Sequence, residues 1–351
     1  MNEHISYAMR NELATNSFIY LNPPSALKDW SFLAIEVILL IGFIFTVMHA
    51  IRHSRKTASP AALYTLAAAF LYGLVMDIIS YYTVENFWHG EFTVMFLYNR
   101  LPLYIALFYP TFMYHAYMTI RRYNFKPAVE AISVGFFAGL SYLIFDNLGP
   151  QLGWWIWDRN NPTTWPYVSS VPLTSYHWFF LFTGAFAFLA RKICWDWPQQ
   201  GKSTTAIYIG IASIPMATIV LGAILFIPYN IFSKNMPPWD MAPWTANFGL
   251  ASLTHALAFF AAGLVFLFNF RRPAEPRDNL LILFPLIYLA GHLYIYIAKF
   301  DLFFTLTPNG LTQEGLAIGN PIAVVVAIIA TTAIVLLSHP LPNSTPINHK
   351  G

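Results

Sequence analysis

Nine predominantly apolar runs, each long enough to cross a bilayer, constrain this chain more than anything else in it. They cover residues 30–51, 61–83, 93–120, 127–148, 174–192, 204–230, 244–270, 279–300 and 317–338. About 20 apolar residues span the hydrocarbon core as a helix. Lipid offers backbone groups no partner outside the segment, so every run is expected to be helical. Only 10% of the residues are charged, against about 25% in a soluble domain. The expected fold is therefore an all-α, polytopic membrane bundle of about nine transmembrane helices. Residues 30–338 form the membrane domain, between a polar segment, 1–29, and a tail, 339–351. No basic stretch feeds an apolar core within residues 1–29, so the first apolar run is expected to serve as its own insertion signal.

Cations set the expected orientation. Loops after the odd-numbered runs hold Arg52, Arg55, Lys56, Arg121, Arg122, Lys126, Arg191, Lys192, Lys202, Arg271, Arg272 and Arg277, and Lys350 follows the last run. The other side holds Arg10, Lys28, Arg159, Lys234 and Lys299, with Arg100 read as lying inside a run. Cytoplasmic loops collect Lys and Arg. The N-terminus is thus expected outside and the C-terminus in the cytoplasm, in an inner or plasma membrane.

A hairpin occurs twice, at 61–122 and 127–192. Gly73 to Trp88 and Gly139 to Trp154 are both 15 residues, and Pro102 to Arg121 and Pro172 to Arg191 are both 19. Only the loop between Trp and Pro differs in length. The spacing predicts a duplicated, similarly oriented hairpin.

Polar groups gather at one depth within these runs. At about 1.5 Å per residue from the nearer helix end, Glu36, Asp77, Arg100, Asp146 and His177 fall within two turns of the outer surface, with Asn99, Asn147, Asn247 and Asn320 at a similar level. Charge inside a bilayer is costly and needs a partner or a purpose. Asp77, Tyr81 and Glu85, spaced i, i+4, i+8, share a helix face. Arg100 is the expected counter-ion of Asp77 or Glu36. The same groups serve either a buried ion pair that fixes packing or a functional cavity in the outer leaflet. Trp154, Trp155, Trp157, Trp165, Trp239 and Trp244 form an outer aromatic excess; most suit an interfacial belt, and some are expected to fold over the mouth of such a cavity.

Other chemistries have less to stand on. Cys194 is the lone cysteine, so no internal disulfide or cysteine metal cage forms. His255 and His292 fall near the middle of their runs, where they hydrogen-bond neighbouring helices or hold a metal or haem. The histidine clusters of a membrane di-iron enzyme are missing, and no cofactor is expected. Lys299 lies at a run end near Asp301, where it snorkels rather than forming a Schiff base. No phosphate-binding glycine loop and no nucleic-acid signal occurs.

Asp146-Asn147-Leu148-Gly149-Pro150-Gln151-Leu152-Gly153, then Val171-Pro172-Leu173 and Tyr176-His177-Trp178, resembles multi-pass carotenoid-biosynthesis proteins of the bacterioruberin-hydratase type. Those proteins carry a similar Leu-Gly-Pro loop followed by a proline-led helix with a Trp. The likeness extends over residues 70–190, with Glu85 to Tyr114 as a diverged copy. The resembled loop is made of small residues where this chain has Trp154-Trp155-Ile156-Trp157-Asp158-Arg159. The resemblance implies a membrane enzyme acting on a long isoprenoid.

The residue chemistry runs parallel to it. Adding water to an isolated C=C needs a strong proton donor, which a carboxylic acid in an apolar pocket supplies, and aromatic faces to stabilise the cation. Asp77 or Asp146 would give the proton. Glu36, Tyr81, Asn99, Arg100, Asn147, Trp154 and Trp178 would bind substrate, and His177 or Glu85 would handle water or the final proton. The same parts suit cyclisation or isomerisation. A transporter or lipid carrier with an outer-leaflet polar site, and a scaffold subunit, are the alternatives.

Overall fold

The computed structural model of this 351-residue chain describes residues 17–158, 161–164, 166–233, 246–271, 273, 276–305 and 316–340. It is mostly helical. The long helices are α1 (Trp30–Thr57), α2 (Ala61–Ile79), α3 (Leu103–Arg121), α4 (Pro127–Leu152), α5 (Leu173–Ala190), α6 (Thr204–Ser233), α7 (Ala246–Asn269), α8 (Asn279–Ala298) and α9 (Pro321–Ser338). Eight helical segments among the described residues are long and apolar enough to cross a membrane, which makes this a multi-pass helical membrane bundle. The helix that falls short of the composition test is α3, rich in Tyr and His. It is also buried almost throughout, packed against α1, α2, α4, α8 and α9. A helix enclosed by other helices needs no lipid-compatible surface, which is why polar side chains collect on it. By contrast α6 and α7 expose Ile209, Met216, Ile224, Phe260 and Phe268, an apolar surface suited to lipid.

Helix starts follow local chemistry. Asp29 caps α1 by accepting Ser31 N–H at 2.6 Å, and Asn320 caps α9 through Ala323 N–H at 3.0 Å. Pro102 and Pro172, both extended, lead into α3 and α5. One end of the bundle carries the basic residues and is cross-tied. Arg122 donates to Ser338 O at 2.7 Å and to Pro276 O at 2.9 Å. Arg191 meets Glu130 at 3.0 Å, and Trp195 Nε1 donates to Thr65 Oγ1 at 3.0 Å.

The opposite end carries three small antiparallel sheets, one of which takes up residues 93–102, where a helix was expected. The strands are β1 (Ile19–Leu21), β2 (Phe87–His89), β3 (Val94–Phe96), β4 (Leu101–Pro102), β5 (Trp155–Trp157), β6 (Tyr167–Val168) and β7 (Val171–Pro172). They pair as β1-β3-β4, β2-β5 and β6-β7. The third helix was expected from residue 93 but begins at Leu103. Three successive residues, Leu97, Tyr98 and Asn99, have φ of 52°, 57° and 67°, a left-handed turn that no helix accommodates. Asn99 and Arg100 therefore sit in a β-turn, not inside a membrane helix. Lys299 pairs with Asp29 at 2.7 Å rather than with Asp301.

At the basic end Asp278 caps α8 through Leu280 N–H at 3.0 Å and lies 3.2 Å from Arg52 and 3.5 Å from His49 Nε2. Burial opposes its charge, but His49, the Leu281 N–H and Arg52 outweigh burial and hold the carboxyl well below the usual carboxylate range. This contribution to stability is fully present above ~3.9, the value of an unfolded aspartate, and is lost as pH falls below it. Asp278→Asn keeps the cap and removes the charge. The thermal midpoint of the wild type in detergent should fall more steeply below about pH 4 than that of Asp278→Asn, and parallel slopes would contradict the assignment.

Candidate functional site

The two loops that follow α2 and α4 are joined by a single ladder. Phe87 pairs with Trp157, Trp88 with Ile156 and His89 with Trp155. Backbone bonds extend it at both ends, from Asp158 N–H to Asn86 O at 2.8 Å and from Gly90 N–H to Trp154 O at 2.9 Å. Strand alternation puts Phe87, His89, Trp155 and Trp157 on one face. That face roofs a cavity of about 240 Å³ whose walls come from α2, α3, α4 and α5. One water needs only ~10–15 Å³, so this is far more than a packing gap. The walls are Met76, Asp77, Ile79 and Ser80 of α2 and the turn after it, Ile105, Phe108 and Tyr109 of α3, Tyr142 and Phe145 of α4, and Thr174, Ser175 and Trp178 of α5. Phe226 of α6 adds to them.

Local structure explains why α2 delivers Asp77 here. The helix relaxes into a π-helical turn over Ser80–Val84 and stops at Glu85, whose φ is 50° and whose N–H donates to Ser80 O at 2.8 Å. Such π-bulges widen a helix and are frequent at functional sites. Asp77 lies seven residues before the end of this span, roughly 10 Å deep at 1.5 Å per residue. It is 2% exposed, and its Oδ2 has no hydrogen-bond partner among the described residues.

A second carboxyl stands behind the opposite wall. Ser175 Oγ donates to Asp146 Oδ2 at 2.7 Å, and Tyr142 OH is 3.4 Å from the same serine. Ser175 and Tyr142 line the cavity, so Asp146 reaches it through one hydrogen bond. His89 also lines it and shares a hydrogen bond with Tyr104 at 3.2 Å. The cavity thus combines an unpaired acid, a carboxyl-held serine, an imidazole and an aromatic cage. That set is able to transfer protons and to stabilise positive charge.

Of the residues singled out in the sequence, Asp77 and Trp178 line this cavity and Asp146 adjoins it. The others stand elsewhere. Arg100 is not the partner of Asp77 or Glu36: its guanidinium donates to Tyr81 O at 3.2 Å and covers the Tyr82 ring at 4.6 Å. Glu36 accepts Thr93 N–H at 3.0 Å and its hydroxyl at 2.8 Å, anchoring β3 to α1. Asn99 donates to Glu91 at 3.2 Å. Asn147 donates to Leu143 O and Tyr176 OH at 2.9 and 2.6 Å and accepts Asn320 N–H at 2.8 Å, tying α4 to α5 and α9. Trp154 turns towards α1, donating to Ser31 Oγ at 3.1 Å. Tyr81 is buried against Phe87 and His89. Glu85 is exposed. His177 faces away from the cavity wall, 3.0 Å from His255 of α7. His292 donates to Tyr288 O at 2.8 Å, so His255 and His292 do not meet. Among the described residues no three His, Cys, Asp or Glu groups converge as a metal site would need. Asn247 lies outside the described side chains.

Residues that the sequence reading passed over include His89, Asn86, Tyr109, Tyr142, Trp155, Trp157 and Ser175. Their common feature, membership of facing walls, is not a spacing within any one segment. The Ser175–Trp178 spacing of i, i+3 was the one local cue.

A family model described as a domain of unknown function (DUF7802) matches residues 23–236, and the chain belongs to that family. No curated protein matches the chain, and no solved structure does. Every residue lining the cavity falls inside the matched segment.

A buried carboxyl without a partner weakens the fold. Asp77→Leu should therefore raise the thermal midpoint in detergent, by the equivalent of about 1–3 kcal/mol. Ser175→Ala removes the hydroxyl that donates to Asp146 at 2.7 Å and should lower stability by about 1–3 kcal/mol. Opposite signs in the two melting curves test the pair. A destabilised Asp77→Leu protein would mean that Asp77 has a structural partner.

Proposed function

We propose that this member of the DUF7802 family is a membrane-embedded enzyme that takes the end of an isoprenoid-type lipid into the cavity and acts on a double bond by acid initiation. The observation that carries the reading is Asp77: a buried acid with no partner at Oδ2, facing an aromatic-walled cavity within the span. Packing alone gives no reason to keep such a group, since each unsatisfied buried polar atom costs stability. The resemblance of residues 70–190 to carotenoid-modifying proteins supports the same substrate class.

In the proposed step Asp77 gives its proton to one alkene carbon and becomes a carboxylate, and the neighbouring carbon becomes a cation. Phe87, Phe108, Trp155 and Trp178 present ring faces that stabilise that charge. Water then adds through oxygen, and its surplus proton returns by way of His89 or the Asp77 carboxylate, giving an alcohol. Loss of a carbon-bound proton instead gives the isomer or the ring. Ser175, held by Asp146, orients the water.

A carrier is the second reading, and one observation favours it. Trp88 and Trp154 are 66 residues apart, and so are His89 and Trp155, the last of the ladder's three pairs. Two copies related by a two-fold axis through that pair would produce this register. The matching order of helix, strand, β-hairpin and proline-led helix agrees with a duplication. Parallel repeats of this kind occur in transporters.

The proposed orientation puts the sheets outside and the basic end in the cytoplasm, nine helices making the N-terminus external. Of the described cations, Lys28, Arg100 and Lys299 lie at the sheet end and the rest at the basic end. In a Cys194→Ala background, an impermeant thiol reagent should label Asp158→Cys from outside and leave Lys202→Cys untouched. The reverse pattern inverts the map. The positions of Trp239 and Arg272, with the same expected sidedness, lie outside the described residues.

Function is tested by extracting membrane lipids from cells with and without the gene. An isoprenoid changed by one water, or isomerised, is expected, and Asp77→Asn should abolish the change while inserting normally. Asn keeps the shape of Asp but delivers no proton at that position. Unchanged lipids with altered uptake would favour the carrier.

A further inference from the structure

Two more polar atoms of the cavity lack partners, and both belong to its roof. Trp157 Nε1, a donor, and Asn86 Oδ1, an acceptor, are buried and unbonded among the described residues. Both side chains line the cavity. They sit at opposite strands of the same ladder, since Asp158, the next residue after Trp157, bonds Asn86 O at 2.8 Å. A buried indole N–H normally finds an acceptor, and a buried amide oxygen normally finds a donor. Neither finds one among the described residues.

We infer that the roof is a binding subsite for a neutral hydroxyl on the lipid that enters the cavity. One hydroxyl accepts from Trp157 Nε1 and donates to Asn86 Oδ1. A phosphate or carboxylate does not fit. Among the described residues no Lys or Arg lines the cavity, so a buried anion there would have no counter-charge from them. An ether or a hydrocarbon leaves Asn86 unpaired. The subsite also measures the ligand. Asn86 follows the span that carries Asp77, whose acid lies roughly 10 Å below the span's end at 1.5 Å per residue. The ligand is therefore a long-chain alcohol with its hydroxyl under the roof and an unsaturated stretch reaching down to Asp77. This rests on the isoprenoid reading of the cavity and names the substrate's polar end.

The test is binding to the full chain in detergent, followed by thermal shift and by ligand titration. The probes are geranylgeraniol, its methyl ether and geranylgeranyl diphosphate. The alcohol should bind best, with the ether roughly tenfold weaker for one lost hydrogen bond and the diphosphate weaker still. Trp157→Phe keeps the ring and removes the donor. Asn86→Leu removes the acceptor. Asn86→Leu should bring the alcohol down to within about twofold of the ether, leaving ether binding unchanged, and Trp157→Phe should weaken alcohol and ether by a similar factor, since both accept from the indole. If Asn86→Leu fails to fold, that shared loss in Trp157→Phe decides alone. Equal binding of alcohol and ether by the wild type would overturn the hydroxyl subsite while the isoprenoid reading stands. A diphosphate that binds tightest would overturn its neutrality. A preference for alcohol that survives in Asn86→Leu, or binding that Trp157→Phe leaves unchanged, would overturn its location. Binding of none of the three would remove the isoprenoid reading itself and this subsite with it.

Discussion

The three-pair ladder between Phe87–His89 and Trp155–Trp157 is the contact on which the interior depends. Its strands come from loops that follow different helices, so closing it fixes how two helical hairpins face each other. Isolated two-stranded ladders are marginal in water. Here the ladder is held by its side chains: Phe87 packs on Trp157 at 5.1 Å, and Trp155 on Phe145 of α4 at 4.8 Å. Gly149 lets the Trp155 indole lie directly against the α4 backbone, and a Cβ there would collide with the ring. The roof is therefore part of the helix packing, not an appendage of the loops.

Polar groups in the bundle fall into two kinds. Most are spent on fastening. Glu36 holds β3, Asn147 links three helices, Arg122 closes the basic end, and Glu130 lies between Arg121 and Arg191 at 3.6 and 3.0 Å. These satisfy each other, as buried polar groups in an apolar solvent must. The second kind has no partner among the described residues; it includes Tyr72, Thr111 and His115 elsewhere in the bundle, and three of its members, Asp77, Asn86 and Trp157, share one cavity. Unsatisfied buried groups cost stability, and at the cavity they face a common void. The central helix α3 contributes one wall of that cavity through Ile105, Phe108 and Tyr109.

Much of the architecture was legible in the chain. Apolar runs 30–51, 127–148 and 204–230 sit inside α1, α4 and α6, because lipid forces any apolar run of that length to satisfy its own backbone. Cation placement marked the basic end for the same kind of reason, a local cost of charge. Depth along a helix likewise put Asp77 and Asp146 towards one end of the bundle, since rise per residue is fixed.

What the sequence did not determine is which side chains face one another. Arg100 reads as a counter-ion inside a helix, yet three left-handed residues turn the chain before it and direct it to Tyr82. His177 shares a depth with Asp77, yet it points to His255 on the other side of α5. Rotation of a helix about its axis, and the pairing of strands nearly 70 residues apart, arise from the sum of packing contacts over the whole bundle. A hydropathy pattern records how deep a residue lies and whether its segment meets lipid. Only the folded chain decides its neighbour, because that choice depends on every other helix at once.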